Sequence, residues 1–96
     1  MMKIVLIDGN KIKTQKKLHS EFKKSLDLPD WYGENLDALY DVLTYITDEI
    51  GVIAVNTDLL AENLGEYWDK FLYLMNDVEN ERTGFHFCSE PFKKEE

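Results

Sequence analysis

Gly51-Val52-Ile53-Ala54-Val55 is a short, apolar, β-branched run, too brief for a helix and suited to a strand. Downstream, Thr57 or Asp58 can cap a short helix that ends near Leu64-Gly65. A longer helix spans about Glu66 to Glu81, with Trp68, Phe71, Leu72, Met75 and Val78 at the spacing of a core-facing stripe. Phe85-His86-Phe87-Cys88 follows Thr83-Gly84, alternates in size and polarity, and reads as a last strand. Upstream of Gly51, Leu36, Leu39 and Leu43 form the inner stripe of a helix capped by Asn35 and running through about Thr44. Pro29 stops an earlier helix, which Thr14 caps and whose Leu18, Phe22 and Leu26 recur every four residues. Lys3-Ile4-Val5-Leu6-Ile7, closed by the turn Asp8-Gly9-Asn10, reads as a buried first strand.

The order is therefore strand, two helices, strand, two helices, strand. Strands separated by helical crossovers pair in parallel, so the expected fold is α/β, a three-stranded parallel sheet packed by about four helices. A chain of 96 residues supports one core rather than two. The expected domain spans residues 1–89, with a frayed tail from Glu90 to Glu96.

Composition removes several function classes. No apolar run approaches the length that spans a bilayer, and Asp8-Gly9 interrupts the N-terminus before a signal-peptide apolar region forms. The lone Cys88 excludes an internal disulfide, and it makes no zinc-ligand spacing with the distant His19 and His86. A reducing cytoplasm is the expected compartment. The sequence has no GxGxxG, GxxxxGK[ST], HExxH or CxxC, so neither a cofactor nor a metal is expected.

A formal charge of −8 argues against binding nucleic acid through phosphates, and its distribution says more. Up to Lys24 the chain carries seven lysines against Asp8 and Glu21, whereas from Ser25 to Glu81 fourteen carboxylates face only Lys70. Lys16, Lys17, Lys23 and Lys24 fall on the wet side of the first helix, and no aromatics interleave the lysines to stack bases, so they read as a solvated face. The acidic stretch favours a cationic partner and speeds its encounter.

Asp37 and Asp41 stand one turn apart on the second helix, with Cβ atoms expected about 5–6 Å apart on one face. The helix dipole favours Asp37 in the first turn, but Asp41 lies too far along for that benefit. Paired carboxylates can serve acid–base chemistry or hold magnesium, yet no nucleophile, phosphate loop or third ligand lies nearby in sequence. The preceding loop sets Trp31 and Tyr32 beside Gly33 among acids. One aromatic can anchor the loop to the core, and exposed aromatics ringed by charge are typical interface anchors.

The segment Leu28-Pro29-Asp30-Trp31-Tyr32-Gly33-Glu34-Asn35-Leu36-Asp37-Ala38-Leu39-Tyr40-Asp41 closely resembles the signature of the barstar family of ribonuclease inhibitors. The resemblance extends to about Ser89, includes the element order, and is specific because it fixes over a dozen consecutive positions. It implies a small α/β protein that plugs the active site of a basic, barnase-like ribonuclease with the second helix and the loop before it. By motif position, Tyr32, Gly33, Asn35, Asp37 and Asp41 match family positions that meet the nuclease, Asp41 taking the place of a substrate phosphate. Asp77 aligns with a further acidic contact. Trp31 stands where a tyrosine is usual and Tyr40 where a tryptophan is usual, both keeping a large aromatic. Tyr45-Ile46-Thr47-Asp48 replaces a segment that in the best-known member carries a glycine and a tryptophan at the interface, a departure that bears on partner choice.

The leading expectation is an intracellular inhibitor of a basic ribonuclease, an immunity-type protein rather than an enzyme. The alternative is a non-inhibitory module that uses the same acidic face to bind another basic protein. A carboxylate or magnesium enzyme at Asp37 and Asp41 ranks third.

Overall fold

A computed structural model describes residues 2–90. In chain order these form β1 (Met2–Asp8), α1 (Gln15–Leu26), α2 (Leu36–Tyr45), β2 (Glu49–Val55), α3 (Thr57–Leu64), α4 (Glu66–Glu81) and β3 (Phe85–Glu90). The strands make one parallel sheet in the order β1-β2-β3, with Val5 opposite Val52 and Val52 opposite Phe87. The α/β class, the parallel sheet and the four helices are those expected from the sequence.

The helices draw their apolar stripes onto one face of this sheet. Val5, Ile7, Ile50, Val52 and Ala54 are wholly buried there, together with Leu18 and Phe22 of α1, Leu39 and Leu43 of α2, and Phe71, Met75 and Val78 of α4. Phe71 is an aromatic hub: its ring stacks on Trp68 at 5.3 Å and meets the edges or tilted faces of Phe22 and Phe87 at 5.9 and 6.2 Å. Leu36 and Leu72 are only partly buried at the edges of their stripes.

Three local readings change. The first strand is not buried throughout, because only alternate residues point at the helices; Met2, Ile4 and Leu6 stay 42%, 47% and 50% exposed on the opposite face. α3 begins after Asn56 rather than on a Thr57 or Asp58 cap. Asn56 sits in the left-handed region at φ 53°, and its side-chain amide donates to Asp8 Oδ1 at 2.8 Å instead of serving the helix. The last strand continues past Cys88, making Glu90 a strand residue rather than part of a frayed tail. The remainder of that expected tail, 91–96, lies outside the described residues.

Candidate functional site

The site is built on α2 and the loop that enters it. Asn35 stops the loop and starts the helix: its side-chain oxygen accepts the Ala38 amide at 2.8 Å, and its amide group donates to the Gly33 carbonyl at 3.3 Å. Gly33 is held to its size by this cap, since a Cβ there would stand 3.2 Å from Ala38 Cβ and 3.4 Å from Asn35 Nδ2. Between them Glu34 adopts a left-handed backbone at φ 56°, an uncommon and mildly strained conformation for a non-glycine residue.

The two loop aromatics divide the roles that the sequence left open. Trp31 is 80% exposed, whereas Tyr32 is 4% exposed and turned into the core. The Tyr32 hydroxyl lies 2.7 Å from His19 Nδ1, and His19 Nε2 lies 2.6 Å from the Tyr67 hydroxyl, so one buried imidazole ties α1, the loop and α4 together. Burial lowers the His19 pKa below its ordinary value, opposed by the charge of Glu34. Burial likewise raises the phenol of Tyr32, helped by Tyr67 and Glu34.

Helical spacing puts Asp37, Asp41 and Tyr45 on the outer face of α2, all exposed, with Tyr45 at 86%. The inner face delivers Leu39 and Leu43 to the core. Asp77 comes from α4, which packs against α2. Tyr40 reports the meeting of the two helices: its phenol is held above its ordinary value by desolvation and by the nearby carboxylates of Glu81, Asp77 and Asp41. Asp41 and Asp77 thus both bear on Tyr40, and Gly33, Asn35 and Asp37 are exposed at the loop end of α2. Tyr32 lies beneath them, as support.

The far end of α2 is held by a residue the sequence did not single out. The Arg82 guanidinium, just past α4, donates to the carbonyls of Leu43 at 3.1 Å, Ile46 at 2.6 Å and Asp48 at 2.6 Å. These are helix-end and loop carbonyls, and α2 has no basic residue of its own in its last turn. Neither role carries a local signal, because the carbonyls that Arg82 holds at the end of α2 and the tyrosines that His19 joins lie 13 to 48 residues away.

Among the described residues, no group of three or more His, Cys, Asp or Glu side chains is arranged to hold a metal ion. No helix among them is long and apolar enough to cross a membrane. What the arrangement offers is an exposed acidic helix face flanked by exposed aromatics, which can meet a cationic surface by charge and stacking.

Fold and face together define a small α/β protein whose distinguishing surface is one acidic helix and the loop that leads into it. The family profile described as Barstar (barnase inhibitor) matches residues 2–90, and the chain belongs to the barstar family. It is also 36% identical over 81 residues, covering 83% of this chain and 89% of the relative, to a Bacillus subtilis (strain 168) protein named "Putative ribonuclease inhibitor YrdF".

Proposed function

We propose that this protein is a cytoplasmic inhibitor of a basic, barnase-like ribonuclease and acts as its immunity partner rather than as an enzyme. The observation that carries the reading is the placement of Asp41: an exposed carboxylate midway along α2, with no ion pair among the described residues. Family membership supports the ribonuclease as the kind of partner.

In this reading α2 and the loop before it enter the nuclease's substrate cleft. Asp41 stands in for the substrate phosphate among the cationic groups of the cleft, where a desolvated charge pair is far stronger than at an open surface. Asp37 and Asp77 extend the negative face, while Gly33 and Asn35 meet the rim of the cleft. Tyr32 contributes by holding the loop in its binding shape, so that little ordering remains to be done on association. No cofactor takes part.

Competition tests the mechanism. A mononucleotide that occupies the ribonuclease active site should weaken complex formation in proportion to its own occupancy. Binding that ignores the nucleotide would place the contact outside the active site, as the alternative of a non-inhibitory module requires.

A further inference from the structure

The two edges of the sheet are finished differently. On the β3 edge the Glu79 carboxylate accepts the Phe87 amide at 2.8 Å, so a side chain of the protein itself occupies that edge. β1 has a neighbour only in β2, and alternate amides and carbonyls along it point outward. Among the described residues, no backbone group outside the sheet hydrogen-bonds residues 3–7.

A groove of about 480 Å³ lies at this open edge. Leu6 lines it from the sheet face that the helices leave bare, while Lys17, Glu21 and Lys24 line it from α1 on the other face. Side chains from opposite faces share one cavity only by meeting around the free edge of β1 at its carboxyl end. Lys11 adds a third ammonium and Ile12 further apolar lining. The two carboxylates present are already engaged. Asp8 accepts the Asn10 amide at 2.9 Å and the Asn56 side chain at 2.8 Å, and Glu21 accepts the Ser25 hydroxyl at 2.9 Å and lies 3.9 Å from Lys24 Nζ. Lys11 and Lys17 have no ion pair among the described residues, so the groove is net positive.

From this asymmetry we infer that β1 is a docking edge for an extended acidic segment of a second protein, which adds as a fourth strand of alternating apolar and acidic residues. Backbone bonds to β1 hold the segment, and the alternation of a strand decides which face each of its side chains takes. Its apolar residues continue the row Met2, Ile4 and Leu6, which stays about half exposed although parallel sheets are ordinarily covered on both faces. Its acidic residues fall beside α1, where the unpaired lysines meet them. A second copy of this chain pairing edge to edge would oppose one set of lysines to the other, which is unfavourable. A nucleic acid has no strand amides to fill the edge and finds no aromatic in the groove to stack on. The inference uses nothing of the α2 face and stands apart from the ribonuclease reading.

The test is an NMR titration of the whole protein with a blocked peptide of alternating valine and glutamate, seven residues long to match β1, and with its valine and lysine counterpart at equal ionic strength. The expected result is saturable binding of the glutamate peptide, slowed exchange of alternate amides among residues 3–7, and affinity about tenfold lower or worse for the lysine peptide. Lys11→Glu combined with Lys17→Glu should weaken the glutamate peptide about tenfold, and since both side chains are exposed and unpaired, the fold should persist. No saturable binding, equal affinity for the two peptides, protection on β3 instead of β1, or unaltered binding by the double variant overturns the inference. A free protein that sediments as a dimer, and that the peptide dissociates, would make a second copy the occupant and overturn it as well. Should the double variant misfold, the comparison of the two peptides on the wild type still decides.

Discussion

His19 Nδ1 lies 2.7 Å from the Tyr32 hydroxyl, fastening the loop before α2 to a buried residue of α1. With Tyr67 on the other ring nitrogen at 2.6 Å, a neutral imidazole donates to one tyrosine and accepts from the other. The shape of the acidic face is therefore set from inside the protein, by a bond that leaves Trp31 and Gly33 free at the surface.

Stability should carry the signature of this histidine. Burial depresses the folded-state pKa of His19 below its ordinary value of 6.5, so below that pH the unfolded chain binds a proton that the folded chain refuses. The His19 contribution is complete above 6.5, declines on acidification, and is fully lost once the pH is below the folded value. Urea midpoints measured across this window should fall with pH in the wild type more steeply than in His19→Gln. Parallel curves would show that the imidazole does not titrate differently on folding.

Arg82→Met should remove three carbonyl partners at the end of α2 while keeping much of the side-chain volume. Charge-assisted hydrogen bonds of this kind are worth about 1.5–3 kcal/mol each in favourable cases, and partial exposure of Arg82 puts the expected total near the lower end. For a domain of this size about 2 kcal/mol lowers the melting temperature by roughly 8–16 °C. Arg82→Lys should recover only part, because one ammonium cannot span carbonyls of Leu43, Ile46 and Asp48 together. Calorimetry on the two variants checks both statements.

Asp41→Ala should separate function from stability. In the free protein Asp41 faces Asp37 one turn away, and relieving that repulsion should gain about 0.2–0.5 kcal/mol, helped by the helix propensity of alanine. Partner binding should weaken by about 2–5 kcal/mol or more, a range to which the barnase–barstar pair itself contributes, largely because cations of the partner lose their counter-charge. A lower melting temperature with intact binding would reassign Asp41 to structure.

Most of the fold was legible because each element carries its own period. Leu18, Phe22 and Leu26 on α1 and Trp68, Phe71, Met75 and Val78 on α4 needed only the helical repeat, and all are buried. The acidic face was legible for the same reason, since helical spacing alone sets Asp37 and Asp41 side by side. What stayed hidden depends on contacts distant in sequence. Asn56 has the composition of a helix cap, but Asp8, 48 residues earlier, captures its side chain. Trp31 and Tyr32 look alike in sequence, and their opposite fates follow from His19 reaching only the second of them. The exposure of Ile4 and Leu6 depends on which sheet face the helices cover, which an unbroken apolar run does not encode.

Association with a basic ribonuclease should slow as salt rises. Fourteen carboxylates against one lysine between Ser25 and Glu81 create a field that is screened beyond about 10 Å at 0.1 M ionic strength. Stopped-flow on-rates should fall with added sodium chloride while dissociation changes less, and an on-rate indifferent to salt would rule out electrostatic steering.

The most direct test of the central claim is titration of a basic, barnase-like ribonuclease with the wild-type protein, scored by residual RNA cleavage, with Asp41→Ala alongside. Activity should fall in proportion to added protein and vanish at one equivalent, and Asp41→Ala should need a large excess for the same effect. If no such ribonuclease loses activity at micromolar excess, or if Asp41→Ala inhibits as well as the wild type, the acidic face of α2 is not an active-site plug.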